Sequence, residues 1–278
     1  MFSHASIVVA CIGDSITAGV GVTTPVVESY PAKLQKLLGT NYTVLNYGVS
    51  GTTLLISGDM PYWTTGAYTA SHNAPLADIV MIMLGTNDSK PQNWKNGTNN
   101  FYSDYRRLIA TYTNLASNPR VLICTPSPVF GSNSYKIDAG VIATNISPLI
   151  QQLGTNLNHQ VIDMQTLLAG HAEWFPDYVH PNSQGTSVMA AIVYTALLGD
   201  TLYGATPNLA IIVPGSGNVA LTWPGGGAGW VIQTIPAPGG TNLWTIVSNV
   251  ISNDGTQASV VVPVASPNAL FRLWNPSL

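Results

Sequence analysis

The stretch IVVACIGDSITAG, residues 7–19, decides the fold. Its first six residues are apolar without alternation, the pattern of a strand buried on both faces, as in a parallel sheet covered by helices. The run halts at Gly13 and Asp14, and Ser15 follows where strand gives way to loop or helix. A hydroxyl there stands exposed on a rigid platform, with its own backbone N–H directed toward the same cleft. The structural alternative for Ser15 is a helix N-cap, a common role for Ser at such a junction.

Outward from that strand, four more β-rich runs follow at 42–47, 78–84, 120–124 and 160–164. Helical patterns lie between most of them. Residues 30–38 carry Leu34, Leu37 and Leu38 behind Pro31, 102–115 carry a similar stripe, and 188–198 form a last apolar helix. Strands alternating with helices predict an α/β domain, a flavodoxin-like three-layer arrangement around a parallel five-stranded sheet. Ligands of such sheets sit beyond the carboxyl ends of the strands.

The chain has 278 residues, enough for one large domain and a small companion, each with its own core. Hydrophobic residues make up 46% and charged residues only 8%, against roughly 25% in an average chain, so disorder is excluded and Asn, Thr, Ser and Gly must wet the surface. With 9 Lys and Arg against 12 Asp and Glu, unclustered, the net charge of −3 makes nucleic acid a poor partner. No apolar run approaches the roughly 18 residues of a membrane span. The first residues lack a basic segment and a cleavage site, so they read as the first strand, any export signal having been removed already. Cys11 and Cys124 lie in separate strand-like runs and read as buried free thiols.

Composition changes after Tyr203. Residues 206–278 hold two charged residues, Asp254 and Arg272, and 17 Gly and Pro among 73 positions. Short strand-like runs between turns such as PGGG and NDG predict a second, all-β domain, sandwich-like, placing the first domain at 1–205 and the accessory domain at 206–278. Trp223 is expected in its core and Trp274, with Arg272, on the opposite face. The scarcity of charge and the tryptophans Trp223, Trp230, Trp244 and Trp274 favour docking on the first domain over independent glycan binding.

Polar motifs follow the strands. NYGVSGTT contains Gly51, whose backbone N–H can approach a ligand closely, and GTND places Asn87, a neutral amide donor, at the same rim. DYVHPN holds Asp177 and His180 at i, i+3, a spacing that lets the carboxylate reach one imidazole nitrogen and leaves the other for Ser15. Each is weak alone, and their order at successive strand ends gives them weight together.

With these residues in place, the sequence resembles the SGNH (GDSL-type) hydrolases: GDSITAG matches the first block of that family, GVSGTT the second, GTND the third and DYVHPN the last. The resemblance covers residues 7 to about 200. It implies that Ser15 is the nucleophile, that Asp177 and His180 complete the triad, and that the Ser15 and Gly51 N–H groups and the Asn87 amide form an oxyanion hole. GTNDSKPQNW and GDMPYW are similar to the branch of carbohydrate O-acetylesterases known as sialate or xylan acetylesterases. The expectation is a serine esterase that deacetylates polysaccharides or oligosaccharides without metal or cofactor, in a secreted or periplasmic location. A lipase or esterase acting on lipid or aryl esters is the rival enzyme, and a glycan-binding protein with a vestigial site the rival non-enzyme.

Other chemistries lack their motifs: there is no GxSxG elbow, HExxH, paired CxxC or GxxxxGK[ST]. His4, His72, His159 and His171 have no partner at motif spacing and read as structural, as do Asp14 and Asp88, the latter a loop-fixing acceptor. Tyr105 reads as core. The triplets NYT, NDS, NGT and NIS are chance matches to the glycosylation pattern, since one contains Asn87. Tyr62, Trp63, Tyr68 and Trp94 fall near the rim, where their rings could stack on sugars or equally anchor the loops.

Overall fold

The computed structural model describes residues 6–73, 75–97, 99–198, 210–212, 218–224, 231–235, 245–247, 251–253, 257–263 and 270–274. The chain divides into two compact units, Met1–Ala196 and Leu197–Leu278. The expected boundary at 205/206 lies outside the described residues, as do His4, Trp230, Trp244 and the side chains of Arg272 and Trp274.

In the first unit, β1 (Ile7–Gly13), β2 (Tyr42–Gly48), β3 (Ile79–Met83), β4 (Arg120–Cys124) and β5 (Gln160–Ile162) form one parallel sheet in the order β2-β1-β3-β4-β5. Alternate side chains of the central strands serve opposite faces. Ala10, Ile12, Val80, Ile82, Val121 and Ile123 enter one buried cluster with Tyr105, Leu108 and Tyr112 of the helix Phe101–Thr113 and with Ile150 and Leu153 of the helix Ser147–Leu157. Val9, Cys11, Met81, Leu122 and Cys124 are buried on the other face, where the Tyr30 hydroxyl bonds Thr17. Both cysteines are free thiols, and burial pushes the Cys11 thiol up to about 12. Edge strand β2 is only half-buried, which matches its more polar sequence.

The predicted helix over 30–38 forms as Tyr30–Leu38, with Ser29 capping Ala32 N–H and Pro31 in the first turn. The last helix begins at Ser183, five residues before its apolar pattern. Its first turn is polar and is held by Asn182, whose side chain accepts from Gly185 N–H at 3.0 Å. The helix Ser147–Leu157 has no counterpart in the sequence expectations: a π-helical turn, Ile142–Ile146, precedes it, and Pro148 and Gly154 blur its pattern.

In the second unit the sheet β10-β11-β7-β6 is built from Ser252–Asn253, Gln257–Pro263, Asn218–Pro224 and Ala210–Ile212. A second sheet, β12-β8-β9, is built from Leu270–Trp274, Val231–Ile235 and Thr245–Ile246. All described pairings in both are antiparallel. Val219, Leu221 and Trp223 share a face and stand opposite Val262, Val260 and Ala258. Ile232 joins their buried cluster, with Val247 and Phe271 packed against it.

One contact fixes the first motif against the sheet. A Cβ on Gly48 would lie 2.2 Å from Ala18 N and 2.6 Å from Thr17 C, both main-chain atoms of the short helix that begins at Ser15. Only a residue without a side chain lets β2 end beside that helix. Gly48→Ala is therefore expected to cost about 3 kcal/mol or more of stability, since main chain cannot give way as a side-chain tip can. The urea midpoint of the full chain measures this, and a midpoint equal to wild type would refute the clash.

Candidate active site

The geometry begins with the sheet register. Gly13 stands opposite Gly48 on one side and Met83 on the other, so the segments after β1, β2 and β3 leave the sheet at one level. Asp14 accepts from Ile16 N–H at 3.0 Å and so caps the helix Ser15–Ala18, which Gly19 ends. Burial pushes the Asp14 carboxyl above its usual range, although the Ile16 N–H favours the anion. Ser15 is thereby held at the end of β1, only 5% exposed.

Asp177 and His180 reach it from the far end of the unit. Asp177 Oδ1 accepts from the backbone N–H groups of Val179 at 3.0 Å and His180 at 2.7 Å, and Oδ2 accepts from His180 Nδ1 at 2.7 Å. A carboxylate only accepts, so Nδ1 carries the hydrogen and Nε2 is left to accept from the Ser15 hydroxyl, 2.9 Å away. The turn between them is not helical, because Tyr178 takes a positive φ of 68°. Partial burial raises the Asp177 carboxyl, but the His180 backbone N–H, the His180 ring and the Val179 N–H outweigh it and hold the group below the ordinary carboxylate range.

Two contacts that the sequence did not announce hold His180 in place. Gly21, at φ +103°, passes so close that a Cβ would meet Pro181 O at 2.6 Å and His180 Cβ at 2.9 Å. Lys33 Nζ donates to Ser183 Oγ at 2.9 Å, Thr186 Oγ1 at 3.0 Å and Ser187 Oγ at 2.9 Å, tying the helix Tyr30–Leu38 to the first turn of the helix Ser183–Leu198, which begins three residues after His180. Tyr135 is the third unannounced neighbour, its hydroxyl 3.1 Å from Asp177 Oδ2. Forty-two positions separate those two residues, and no local spacing connects them.

On the other side of Ser15, Val49 N–H donates to Gly13 O at 3.0 Å, tying the segment after β2 to the end of β1. Gly51 follows at φ +83°. Asn87, 5% exposed, donates through Nδ2 to Thr52 O at 3.1 Å, and its own carbonyl accepts from Asn93 Nδ2 at 2.9 Å. Asp88 is fully buried and accepts from Leu54 N–H at 2.9 Å and Leu55 N–H at 2.7 Å, the loop-fixing role expected of it.

The aromatic residues near the rim require a correction. Tyr62 is fully buried, with its hydroxyl donating to Tyr47 O at 2.8 Å, so it has no face to offer a sugar. Trp63, Tyr68 and Trp94 are half-buried. Trp63 donates to Leu54 O at 2.7 Å beneath the Arg107 guanidinium, Tyr68 contacts Tyr62, Trp63 and His72, and Trp94 packs on Phe101. These contacts anchor the loops. His72 bonds Tyr68 O and stacks on Tyr112, and His171 bonds Glu173 and stacks on Trp174. Tyr105 is core, its hydroxyl on Ile82 O. Among the described residues no group of three or more His, Cys, Asp or Glu is placed to hold a metal ion.

A five-stranded parallel sheet with Ser, His and Asp hydrogen-bonded in series at its carboxyl edge has the arrangement of a serine hydrolase. Residues 11–188 match the GDSL-like lipase/acylhydrolase family, and the chain belongs to it. An acetylxylan esterase of Xylanibacter ruminicola is 38% identical over 207 residues, covering 68% of this chain and 42% of that protein. The chain thus matches less than half the length of that relative. Among solved structures, a carbohydrate acetylesterase from Sinorhizobium meliloti superposes with TM-score 0.59 at 18% identity, covering 70% of this chain and 99% of its own. An aryl esterase of M. smegmatis superposes with TM-score 0.59 at 19% identity, over 70% and 99% of the two chains. Both share the fold.

The Asp88 clamp has a consequence for stability. Burial drives its carboxyl up to about 7, against the opposing pull of the Leu55 and Leu54 N–H groups. Because that value lies above the roughly 3.9 of an unfolded Asp, the native state binds the extra proton between about pH 4 and 7, and this group's contribution falls as pH rises through that window. Asp88→Asn leaves one of the two backbone N–H groups facing an amide NH2, at a cost of about 1–3 kcal/mol. Equilibrium unfolding should show the deficit of the variant narrowing from pH 4 to pH 7.5. A deficit that widens over that range would refute the assignment.

Proposed function

We propose that the chain is a serine esterase that removes O-acetyl groups from carbohydrates, polymer or oligosaccharide, through an acyl-enzyme. The observation that carries this reading is the bonded series Ser15 Oγ, His180 Nε2, His180 Nδ1, Asp177 Oδ2, with contacts of 2.9 and 2.7 Å. His180 takes the Ser15 proton as Oγ attacks the acetyl carbonyl. Asp177 holds the imidazole in the required tautomer and stabilises the imidazolium that forms. The oxyanion lies toward the backbone N–H groups of Ser15 and Gly51 and the Asn87 amide, one of whose two hydrogens is used on Thr52 O. His180 then gives its proton to the departing sugar oxygen. Water, deprotonated by the same ring, attacks the acetyl-serine ester, and acetate leaves as the proton returns to Ser15 Oγ. None of these steps calls on a cofactor.

The carbohydrate substrate rests on likeness to the acetylxylan esterase and on the polar segments following β2 and β3. A polymeric substrate suits a secreted or periplasmic enzyme, and no described helix is long and apolar enough to cross a membrane. Within this reading residues 1–205 are the catalytic domain and 206–278 a sandwich-like accessory domain, supported by two antiparallel sheets contributing to one buried cluster. An intact Ser15, His180 and Asp177 series weighs against a vestigial site that only binds glycan.

Ser15→Ala should abolish ester hydrolysis in a protein with unchanged circular dichroism, and turnover near wild type would sink the assignment. Asn87→Ala should lower kcat by about 100 to 1,000-fold with little change in KM, the loss expected for one oxyanion donor. An effect confined to KM would make Asn87 a binding residue instead. Acyl length separates the rival substrates. Acetyl esters should be hydrolysed faster than octanoyl esters of the same leaving group, and a clear octanoyl preference would move the reading to a lipid or aryl esterase.

A further inference from the structure

Tyr135 lies between β4 and the helical segment that begins at Ala139, and no sequence motif points to it. It is 43% exposed, and its hydroxyl donates to Asp177 Oδ2 at 3.1 Å in an exposed contact. Its ring meets the imidazole of His180 edge to face, with centroids 4.9 Å apart and planes at 88°. One side chain therefore touches both residues that activate Ser15.

The segment carrying Tyr135 is braced. Phe130 N–H donates to Tyr178 O at 3.1 Å, one residue after Asp177. The Asn133 side chain accepts from Ile137 N–H at 3.0 Å and donates to Ile137 O at 2.9 Å, closing the loop around Tyr135. Ile137 is buried, and Asp138 N–H donates to Ser89 Oγ at 3.0 Å, two residues after Asn87. The segment thus joins the Asn87 side of the site to the Asp177 side.

We propose that Tyr135 is a positioning residue that sets how strongly Asp177 holds the His180 proton. This rests on the roles proposed above for Ser15, His180 and Asp177. Oδ1 is committed to two backbone N–H groups, which fix the plane of the carboxylate. Oδ2 is shared between the imidazole at 2.7 Å and the phenol at 3.1 Å. Each donor withdraws charge from that oxygen, so the phenol weakens the pull of Asp177 on the imidazolium and eases return of the proton to the leaving group. The ring contact keeps the imidazole from swinging away from Ser15 between the two proton transfers. The bond to Asp177 also holds the Tyr135 hydroxyl above the ordinary phenol range, so it stays protonated and donating through neutral pH. Among the described residues, the other polar groups acting on the His180 ring are Ser15 and, electrostatically, the buried Asp14 carboxyl, neither of which a change at Tyr135 removes.

The test compares Tyr135→Phe and Tyr135→Ala with wild type in the full chain, using triacetin, an alkyl acetate with no sugar to bind, whose departing alkoxide must take the proton from His180. Tyr135→Phe keeps the ring and frees Oδ2 for the imidazole alone. The acid limb of its kcat/KM profile should move to higher pH by about half a unit, as expected for loss of one hydrogen bond to a carboxylate, with kcat lowered about 2 to 5-fold and KM within about twofold. Tyr135→Ala should lower kcat further, by about tenfold or more, since the ring contact goes as well. A Tyr135→Phe profile superimposed on wild type in both acid limb and kcat would overturn the proposal, as would a change confined to KM. If Tyr135→Ala fails to fold, Tyr135→Phe decides alone. Ser15→Ala in the same assay separates the two levels: retained activity there refutes the triad, whereas its loss beside an unchanged Tyr135→Phe refutes only the role of Tyr135.

Discussion

The parallel pairing that sets Gly13 opposite both Gly48 and Met83 is the constraint on which the site depends. Parallel strands run the same way, so their carboxyl ends meet at one edge, and whatever follows them is gathered there. Ser15, Gly51 and Asn87 come from three strands and share that edge without any local interaction drawing them together. The sheet can impose this because β1, β3 and β4 are buried along nearly their whole length. A one-residue slip would exchange the side chains that pack beneath the helix Phe101–Thr113 for those facing Tyr30.

Buried polar groups then convert a shared edge into a defined geometry. Asp88 carries no proposed chemical role, yet its two bonds to Leu54 and Leu55 fix the segment following Gly51, and Asn87 holds Thr52 from the adjacent position. Asn93 continues this network to Asp59. On the opposite side the Lys33 contacts secure the first turn of the helix after His180. Each is a bond across long sequence separation, so the loops are held by side chains more than by regular structure.

Legibility in the sequence followed the range of the interaction. All five sheet strands lie within a residue or two of the runs that announced them, and for β1, β3 and β4 the reason is two-sided burial, which writes itself as consecutive apolar residues. Asp177 and His180 were legible from their spacing of three, although the turn joining them uses a left-handed Tyr178 rather than a helix. Tyr62 was misread. An aromatic residue near a strand end is equally compatible with a rim and with a core, and only its packing at zero exposure decides between them. The helix Ser147–Leu157 escaped because Pro148 and Gly154 blunt a periodicity that its packing against the sheet restores.

The sequence by itself determined the α/β class, the strands, and which hydroxyl, imidazole, carboxylate and amide could serve the chemistry, since strand patterns and motif spacings are properties of neighbouring residues. Tertiary structure alone decided that Gly21 lets the chain pass His180, that Lys33 secures the helix beyond it, and that Tyr135 reaches Asp177 across 42 positions. Those contacts join segments whose meeting depends on how every intervening strand and helix packs, and no local pattern of residues encodes that sum.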